Sequence, residues 1–197
     1  MKVIGITGGV GAGKSLVLSL LKELSKCDII MADDVAKSMY FKGEKAFEEI
    51  VDFFGDDVID STGNAIDTNK LASIIYKDPN KRIVLNSIVH PLTKAKVIEK
   101  ITNHKIKNDV DFCFVEAALL LDDHYDIFCD EVWYIYASAD TRRNRLKATR
   151  GYSDEKIDAI FNAQLNEEEF KNRCNQVINN DESITNLKGK LASLLNL

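Results

Sequence analysis

A glycine-rich turn near the N-terminus constrains this chain more than any other stretch, because a buried strand leads into it and a helix leads out of it. Val3, Ile4 and Ile6 form a short β-branched run, and helical spacing of apolar residues resumes after Lys14. Four glycines between them remove the side chains that would keep the backbone away from a ligand: Gly8, Gly9, Gly11 and Gly13. This order predicts a loop whose backbone approaches a ligand closely.

The spacing within the turn predicts a phosphate-binding loop. Gly8 is followed after four residues by Gly13, Lys14 and Ser15, which matches the pattern G-x-x-x-x-G-K-[ST]. Backbone N–H groups of such a loop surround a polyphosphate, and the start of the following helix adds unsatisfied amides. We expect Lys14 to reach the β- and γ-phosphates and the Ser15 hydroxyl to bind Mg²⁺. The expected nucleotide contacts lie along the loop and the first helical turn, at Gly9, Gly11, Ala12, Gly13, Lys14, Ser15 and Leu16.

Composition limits what is built on this loop. With 197 residues, 45% of them apolar, the chain can bury one core, as one domain or one domain with an insertion. Its net charge of −5 and sequence pI near 5.3 argue against binding nucleic acid or a membrane surface. No apolar run approaches the ~20 residues of a membrane span, and nothing near residue 2 reads as a signal peptide. We expect a cytoplasmic protein.

Cysteines and histidines indicate no metal site of their own. The four cysteines are far apart and form no C-x-x-C pair, and the three histidines show no H-E-x-x-H spacing. We expect reduced, mostly buried thiols, and Mg²⁺ accompanying a nucleotide as the only metal.

Two acidic positions follow predicted strands. Cys27–Met31 reads as a second strand, and it runs into Asp33, which could accept a proton from a substrate hydroxyl or could cap the next helix. A third strand begins at Phe112 and ends in Glu116, where a carboxylate can hold the water shell of Mg²⁺. Between them, residues 35–107 are almost wholly helical, which predicts a helical insertion that could hold an acceptor substrate.

The C-terminal part contains a basic helix. The aromatic and β-branched stretch from Glu131 to Ala137 predicts a fourth strand, and Ser138 and Gly151 are suited to begin and end the helix that follows. This helix is either a basic exposed helix or a source of arginines that stabilise the charge of phosphoryl transfer. Its basic residues are Arg142, Arg143, Arg145, Lys147 and Arg150. A helix capped by Ser153, a short strand from Gln176 to Ile178 and a closing helix complete the prediction.

Over nearly its full length, the sequence resembles the dephospho-CoA kinase family. The resemblance is carried by the following stretches: ITGGVGAGKS at 6–15, ADDVAK at 32–37, FG at 54–55, HP at 90–91, ALLLD at 118–122, RL at 145–146, RG at 150–151, Gln164 and VINN at 177–180. Together with the five predicted strands, it implies an α/β P-loop kinase core. This core has a five-stranded, mostly parallel sheet flanked by helices, in residues 1–34 and 108–197. A helical acceptor-binding insertion at 35–107 and an arginine-bearing lid at about 139–165 complete the implied architecture.

The resemblance also implies an activity and roles for single residues. The family transfers the ATP γ-phosphoryl group to the 3′-hydroxyl of dephospho-CoA, giving CoA and ADP in the last step of coenzyme A synthesis. It implies that Lys14 acts in catalysis, that Asp33 is the base, and that Arg145 and Arg150 contact phosphates from the lid. ATP, Mg²⁺ and dephospho-CoA are the expected ligands, and the expected assembly is a monomer or a weak homo-oligomer.

Several positions depart from the family pattern, mostly on the acceptor side. Met31 replaces the first Asp of a D-A-D motif, and the other departures include Leu16, Lys37, Thr68, Ala118, Arg142 and Asn175. These departures leave two alternatives open. One is a kinase of the same architecture that acts on another small nucleoside or alcohol. The other is a nucleotide-binding regulatory relative with little turnover.

Overall fold

The computed structural model describes residues 1–196, in which strands and helices alternate at both ends of the chain. The strands are β1 (Lys2–Thr7), β2 (Cys27–Met31), β3 (Phe112–Glu116), β4 (Glu131–Tyr136) and β5 (Gln176–Asn179). The helices are α1 (Lys14–Leu24), α2 (Ala32–Ser38), α3 (Lys45–Phe54), α4 (Thr68–Lys77), α5 (Pro79–Lys107), α6 (Ala139–Arg150), α7 (Asp154–Asn162), α8 (Glu167–Arg173) and α9 (Ile184–Leu194).

The strands form one sheet in the order β2-β3-β1-β4-β5. β1 pairs in parallel with β3 on one side and with β4 on the other, and β4 pairs in parallel with β5. The chain passes from β1 to β2 on one side of β1, and from β3 to β4 across to the other side. The carboxyl end of β1 is therefore a topological switch point, where open α/β sheets bind their ligands.

Each strand lies where the sequence pattern predicts it, because each is a short apolar run suited to a sheet covered on both faces. β1 is buried from Val3 to Thr7, and Trp133 and Ile135 of β4 have no exposed surface. Asn175, just before β5, extends the ladder: its N–H donates to the Val132 carbonyl at 2.8 Å, and its Oδ1 accepts from the Val132 N–H at 2.7 Å.

The predicted helix signals of the C-terminal part are confirmed. The Ser138 hydroxyl caps α6 by accepting from the Thr141 N–H, and Gly151 ends that helix in the left-handed region at φ 61°. The Ser153 hydroxyl caps α7 by accepting from the Lys156 N–H. These caps fix where the basic helix begins and where the chain turns into α7.

The chain divides into two compact units. The first contains residues 1–30 and 104–196, and so holds the phosphate loop, α1, α6 to α9 and nearly all of the sheet. The second, Met31–Asn103, begins at the last residue of β2 and contains α2 to α4, most of α5 and two isolated β-bridges in the connecting segments. Its core is formed by side chains of α3, α4, α5 and the segment between them: Phe47, Ile50, Val58, Ile66, Leu71, Leu85 and Val89.

A histidine links two acidic side chains inside the first unit. His104 Nδ1 lies 2.8 Å from Asp109 Oδ1, and its Nε2 lies 3.1 Å from Asp28 Oδ2. The hydrogen bond to Asp109, followed by that to Asp28, raises the pKa of His104. The end of α5 is thereby joined to β2 by a contact that strengthens when the imidazole is protonated.

The four cysteines are free thiols, as the sequence predicts, but the expectation that they are mostly buried is wrong, because Cys113 is buried and Cys27, Cys129 and Cys174 are half-buried. Burial raises the pKa of Cys113 and of Cys129 to about 12, which keeps these thiols protonated and unreactive. In the part of the chain that the structure describes, we find no helix with the length and apolar character that a membrane span needs.

Candidate active site

The predicted phosphate loop lies between β1 and α1, at the carboxyl end of the central strand. Gly13 precedes α1 in the left-handed region at φ 91°, a conformation that glycine adopts without steric cost. The Ala12 N–H donates to the Gly9 carbonyl at 3.0 Å, so the loop turns tightly before the helix begins. Ser15 is exposed in the first turn of α1, Leu16 is half-buried, and Ala12 is buried.

Lys14 and Glu116 lie together at this end of the sheet. The Lys14 ammonium donates to the Gly8 carbonyl at 2.8 Å and lies 3.5 Å from Glu116 Oε1. Both side chains are largely enclosed, with 18% of Lys14 and 10% of Glu116 exposed. Because Glu116 pairs in register with Ile6, a carboxylate and a cation are fixed beside the start of the loop.

Side chains from outside the loop hold its carbonyl groups. Arg145 of α6 donates through Nη1 to the carbonyls of Gly11 at 3.4 Å and Ala12 at 3.2 Å, and through Nη2 to the Asn180 carbonyl at 2.8 Å. The Asn180 amide, just after β5, donates to the Ala12 carbonyl at 2.7 Å. The carbonyls of Gly11 and Ala12 are therefore held toward α6 and Asn180, which fixes the orientation of the peptides at the end of the loop.

Arg142 and Gln164 hold the loop one residue earlier, at Val10. Arg142 Nε donates to the Val10 carbonyl at 2.9 Å, and the Val10 N–H donates to Gln164 Oε1 at 3.2 Å. Arg142 Nη2 also donates to Gln164 Oε1, at 2.7 Å, and its guanidinium stacks on the Phe161 ring at 4.1 Å. Both backbone groups of Val10 are therefore bonded to side chains that are themselves bonded to each other.

The loop glycines are required by packing as well as by any ligand. A Cβ at Gly9 would lie 2.4 Å from Arg142 Cζ, and one at Gly13 would lie 2.1 Å from Asn180 Nδ2. A Cβ at Gly8 would lie 2.4 Å from the Ile135 backbone carbonyl oxygen. The absence of a side chain at Gly8 allows the β4 backbone to approach the loop, and its absence at Gly9 and Gly13 leaves room for the side-chain ends of Arg142 and Asn180.

The predicted lid arginines occupy different environments. Arg145 contacts the loop, whereas Arg150 is exposed at the end of α6, with its guanidinium 5.9 Å from the Tyr152 ring. Ion pairs join α6 to α7, since Asp154 lies 2.6 Å from Arg143 and 2.7 Å from Lys147. Arg143 also pairs with Asp158. Residues 139–165 thus form two helices held together at the surface.

Asp33 belongs to the second unit. It is exposed in the first turn of α2, which begins directly after β2. The expectation that Asp33 could cap this helix is wrong, because the capping position is Met31 and no side chain caps the helix there. Asp34, the neighbouring carboxylate, lies 3.7 Å from Lys37.

A cavity of about 160 Å³ opens beside the start of the phosphate loop, within the first unit. Thr7 and Gly8 line one side, the segment 118–122 lines another, and Gln164 and Phe170 contribute to the rest. Ala118, one of the departures from the family pattern, therefore lines this cavity.

Sequence reasoning did not assign three side chains that hold the loop. The sequence places Gln164 and Asn180 only within stretches that match the family, and it marks Arg142 as one basic residue of a helix and as a departure from the family pattern. The available signal was an amide residue at the end of a strand or helix, which gives no indication of its partner. Contacts spanning 132 to 168 residues in sequence cannot be read from local pattern.

Comparison with known proteins decides the family. A sequence model of a protein family, described as Dephospho-CoA kinase, matches residues 2–186. The chain belongs to the dephospho-CoA kinase family. The dephospho-CoA kinase of Oceanobacillus iheyensis is 34% identical over 193 residues, covering 98% of this chain and 96% of the relative. That of Carboxydothermus hydrogenoformans is 31% identical and covers 99% of this chain and 93% of the relative.

Solved structures confirm the predicted fold class. The Thermus thermophilus protein TT1252 has a TM-score of 0.79 at 27% identity, covering 99% of this chain and 96% of that one. The dephospho-CoA kinase from Campylobacter jejuni has a TM-score of 0.69 at 21% identity, covering 99% and 96%, and supports the fold alone. A shikimate kinase from Bacteroides thetaiotaomicron has a TM-score of 0.56 at 15% identity and shares the α/β fold.

Proposed function

We propose that this protein transfers the γ-phosphoryl group of ATP to the 3′-hydroxyl of dephospho-CoA, giving CoA and ADP. The observation that carries the proposal is the phosphate loop itself, shaped by contacts from α6 and β5, in a chain that belongs to the dephospho-CoA kinase family. Relatives that cover nearly the whole chain bear that name. The comparisons do not favour another acceptor or a low-turnover regulatory relative.

The proposed contacts to ATP lie in the first unit. Lys14 exchanges its bond to the Gly8 carbonyl for the β- and γ-phosphates. The other proposed contacts to the nucleotide are those expected from the sequence: Gly9, Gly11, Ala12, Gly13, Ser15 and Leu16. Positive charge placed where the transferring oxygens gain negative charge lowers the barrier of phosphoryl transfer. Arg145 and Arg150 are proposed to supply that charge together with Lys14.

The donor set fits Mg²⁺, which prefers oxygen ligands and retains several waters. Ser15 offers a hydroxyl at the start of α1, and Glu116 offers an enclosed carboxylate at the end of β3. We propose that these two residues hold the ion, which neutralises phosphate charge when bound.

Asp33 is the proposed base at the acceptor hydroxyl. It follows the carboxyl end of β2, the edge of an α/β sheet where ligands bind, and its side chain is exposed and therefore accessible to a substrate. A carboxylate in hydrogen-bonding contact with the 3′-hydroxyl can accept its proton as the bond to phosphorus forms.

The remaining proposals concern organisation. We propose that residues 35–107 bind the acceptor, that residues 139–165 act as a lid, and that residues 1–34 and 108–197 bind the nucleotide. We further propose a cytoplasmic enzyme, a monomer or weak homo-oligomer, without nucleic-acid or membrane partners.

An ADP-release assay tests the activity directly. ATP and Mg²⁺ are supplied with dephospho-CoA, and in parallel with adenosine, AMP, shikimate or no acceptor, and the product is analysed by NMR. We expect ADP only with dephospho-CoA, and phosphate at the 3′ position. No turnover of dephospho-CoA despite measurable ATP binding would contradict the proposal.

The role of Asp33 has a matched control in Asp34. Asp33→Asn should lower kcat by about 100-fold or more with ATP binding unchanged, because the variant lacks only the proton acceptor. Asp34→Asn removes an adjacent exposed carboxylate and should leave kcat within about twofold. A loss of less than about tenfold in Asp33→Asn would show that this residue is not the base.

A further inference from the structure

Arg142 differs from its neighbour Arg143 in how its charge is compensated. Arg143 forms ion pairs with Asp154 and Asp158. Across residues 1–196, by contrast, no carboxylate forms an ion pair with Arg142, whose hydrogen bonds go to the Val10 carbonyl and to Gln164 Oε1. Two adjacent arginines on one helix therefore present one neutralised charge and one uncompensated charge.

The environment of Arg142 makes this charge effective. Its guanidinium stacks on the Phe161 ring, and burial lowers its pKa from the ordinary value. A half-buried cation is less screened by water and salt than an exposed one, so its field at a neighbouring phosphate is stronger. Its bond to the Val10 carbonyl places this cation directly against the phosphate loop.

Geometry also gives Arg142 a mechanical role. Arg142, Gln164 and the two backbone groups of Val10 form a closed set of three hydrogen bonds, with lengths of 2.9, 2.7 and 3.2 Å. We call this set the Val10 bracket. It fixes the peptide orientation at Val10, and with it the direction of the N–H groups that follow.

We propose that Arg142 is a positioning residue for the nucleotide donor: through the Val10 bracket it holds the phosphate loop in its binding conformation, and it adds an uncompensated positive charge beside the triphosphate. This inference rests on the proposed kinase activity and extends it to a residue outside the phosphate-loop motif. It predicts an effect on ATP binding and none on acceptor binding.

The test compares Arg142→Gln with the matched control Arg143→Gln, each assayed for ATP affinity by calorimetry without acceptor and for steady-state kinetics. Arg142→Gln should raise the Kd and KM for ATP roughly tenfold, since it removes charge-assisted hydrogen bonds, and change kcat and the KM for dephospho-CoA by less than about threefold. Arg143→Gln should leave all four values within about twofold. An ATP Kd within twofold of wild type in Arg142→Gln, or an equal rise in Arg143→Gln, would overturn the proposal.

Two further variants separate charge from positioning and guard against misfolding. Arg142→Lys keeps the charge without the forked donor, and Gln164→Ala breaks the Val10 bracket with the charge intact, so each should raise the ATP Kd less than Arg142→Gln does. Raising ionic strength to about 0.3 M should weaken ATP binding more in wild type and Gln164→Ala than in Arg142→Gln. Equal salt dependence in all three would refute the charge contribution, and unchanged Kd in both further variants would refute positioning.

These readouts remain informative if the proposed acceptor is wrong. ATP affinity is measured with ATP and Mg²⁺ alone, so a wild-type protein that binds ATP and fails to phosphorylate dephospho-CoA would contradict the proposed function only. A wild-type enzyme that is active on dephospho-CoA, with an unaltered ATP Kd in the Arg142 variants, would contradict this inference only.

Discussion

Truncating Asn180 tests whether the phosphate loop is held by side chains from outside it. Asn180 is 2% exposed, and its amide donates to the Ala12 carbonyl at 2.7 Å. Asn180→Ala removes this donor, but the Ala12 carbonyl keeps its contact with Arg145 at 3.2 Å. The cost is therefore that of a net hydrogen bond, about 1 kcal/mol, rather than that of a fully unsatisfied buried carbonyl.

The small void left by the side chain adds about 1 kcal/mol, which brings the expected loss of unfolding free energy to about 2 kcal/mol. For a chain of this size, each kcal/mol lowers the Tm by about 2 to 4 °C, so Asn180→Ala should unfold about 4 to 8 °C below wild type. Differential scanning calorimetry without nucleotide measures this shift.

Asn179→Ala is the matched control. Asn179 is half-buried, and its Oδ1 accepts a bond from the exposed Asp181 N–H at 3.0 Å. Its loss should cost no more than about 0.5 kcal/mol, or about 2 °C. Equal Tm shifts in the two variants would show that the contact between Asn180 and Ala12 contributes nothing to stability.

Three other substitutions have defined outcomes. Because the pKa of His104 is raised in the folded state, its contribution to the free energy of unfolding is fully present below its unfolded pKa of about 6.5 and is lost as pH rises through the folded pKa. The difference in unfolding free energy between wild type and His104→Gln, measured with urea, should therefore be larger at pH 6 than at pH 9. An equal gap at both pH values would refute this. Gly189→Ala fills open space in α9 and should stabilise the protein by about 0.5 to 1 kcal/mol, because alanine loses less backbone entropy than glycine when the helix forms. A lower Tm in this variant would contradict that reasoning. Gly8→Ala places a Cβ against the Ile135 carbonyl and should give little folded protein, so a soluble variant with native circular dichroism would show that β4 can yield.

The sequence predicts the elements of the first unit well because their signals are local. A run of apolar residues at Val3 to Ile6, a capping serine at Ser138 and a terminating glycine at Gly151 each act within a few residues. Strand order is different. All five strands are short apolar segments, so no local pattern specifies that β1 lies between β3 and β4.

The candidate site was predicted where a motif defines it and missed where long-range contacts build it. Lys14 and Ser15 follow from spacing alone. The bond between Arg142 and Val10 depends on how α6 packs over the loop, and the same arginine in a solvated helix would have an identical local sequence. The sequence therefore indicates that Arg142 carries a positive charge on a basic helix, whereas its partner, the Val10 carbonyl, is known only from the packed structure.

The close approaches at Gly8 and Gly13 affect how a mutational scan of this chain should be interpreted. Substitutions at these glycines would score as inactivating even in a selection that requires only abundance, because a Cβ at Gly8 collides with the β4 backbone and one at Gly13 is strained by its φ of 91° and displaces the Asn180 amide. Intolerance at Ser15, whose side chain is exposed, would instead report on ligand chemistry. A scan performed both for abundance and for growth would thus distinguish the positions of the motif that are needed for folding from those that are needed for ligand binding.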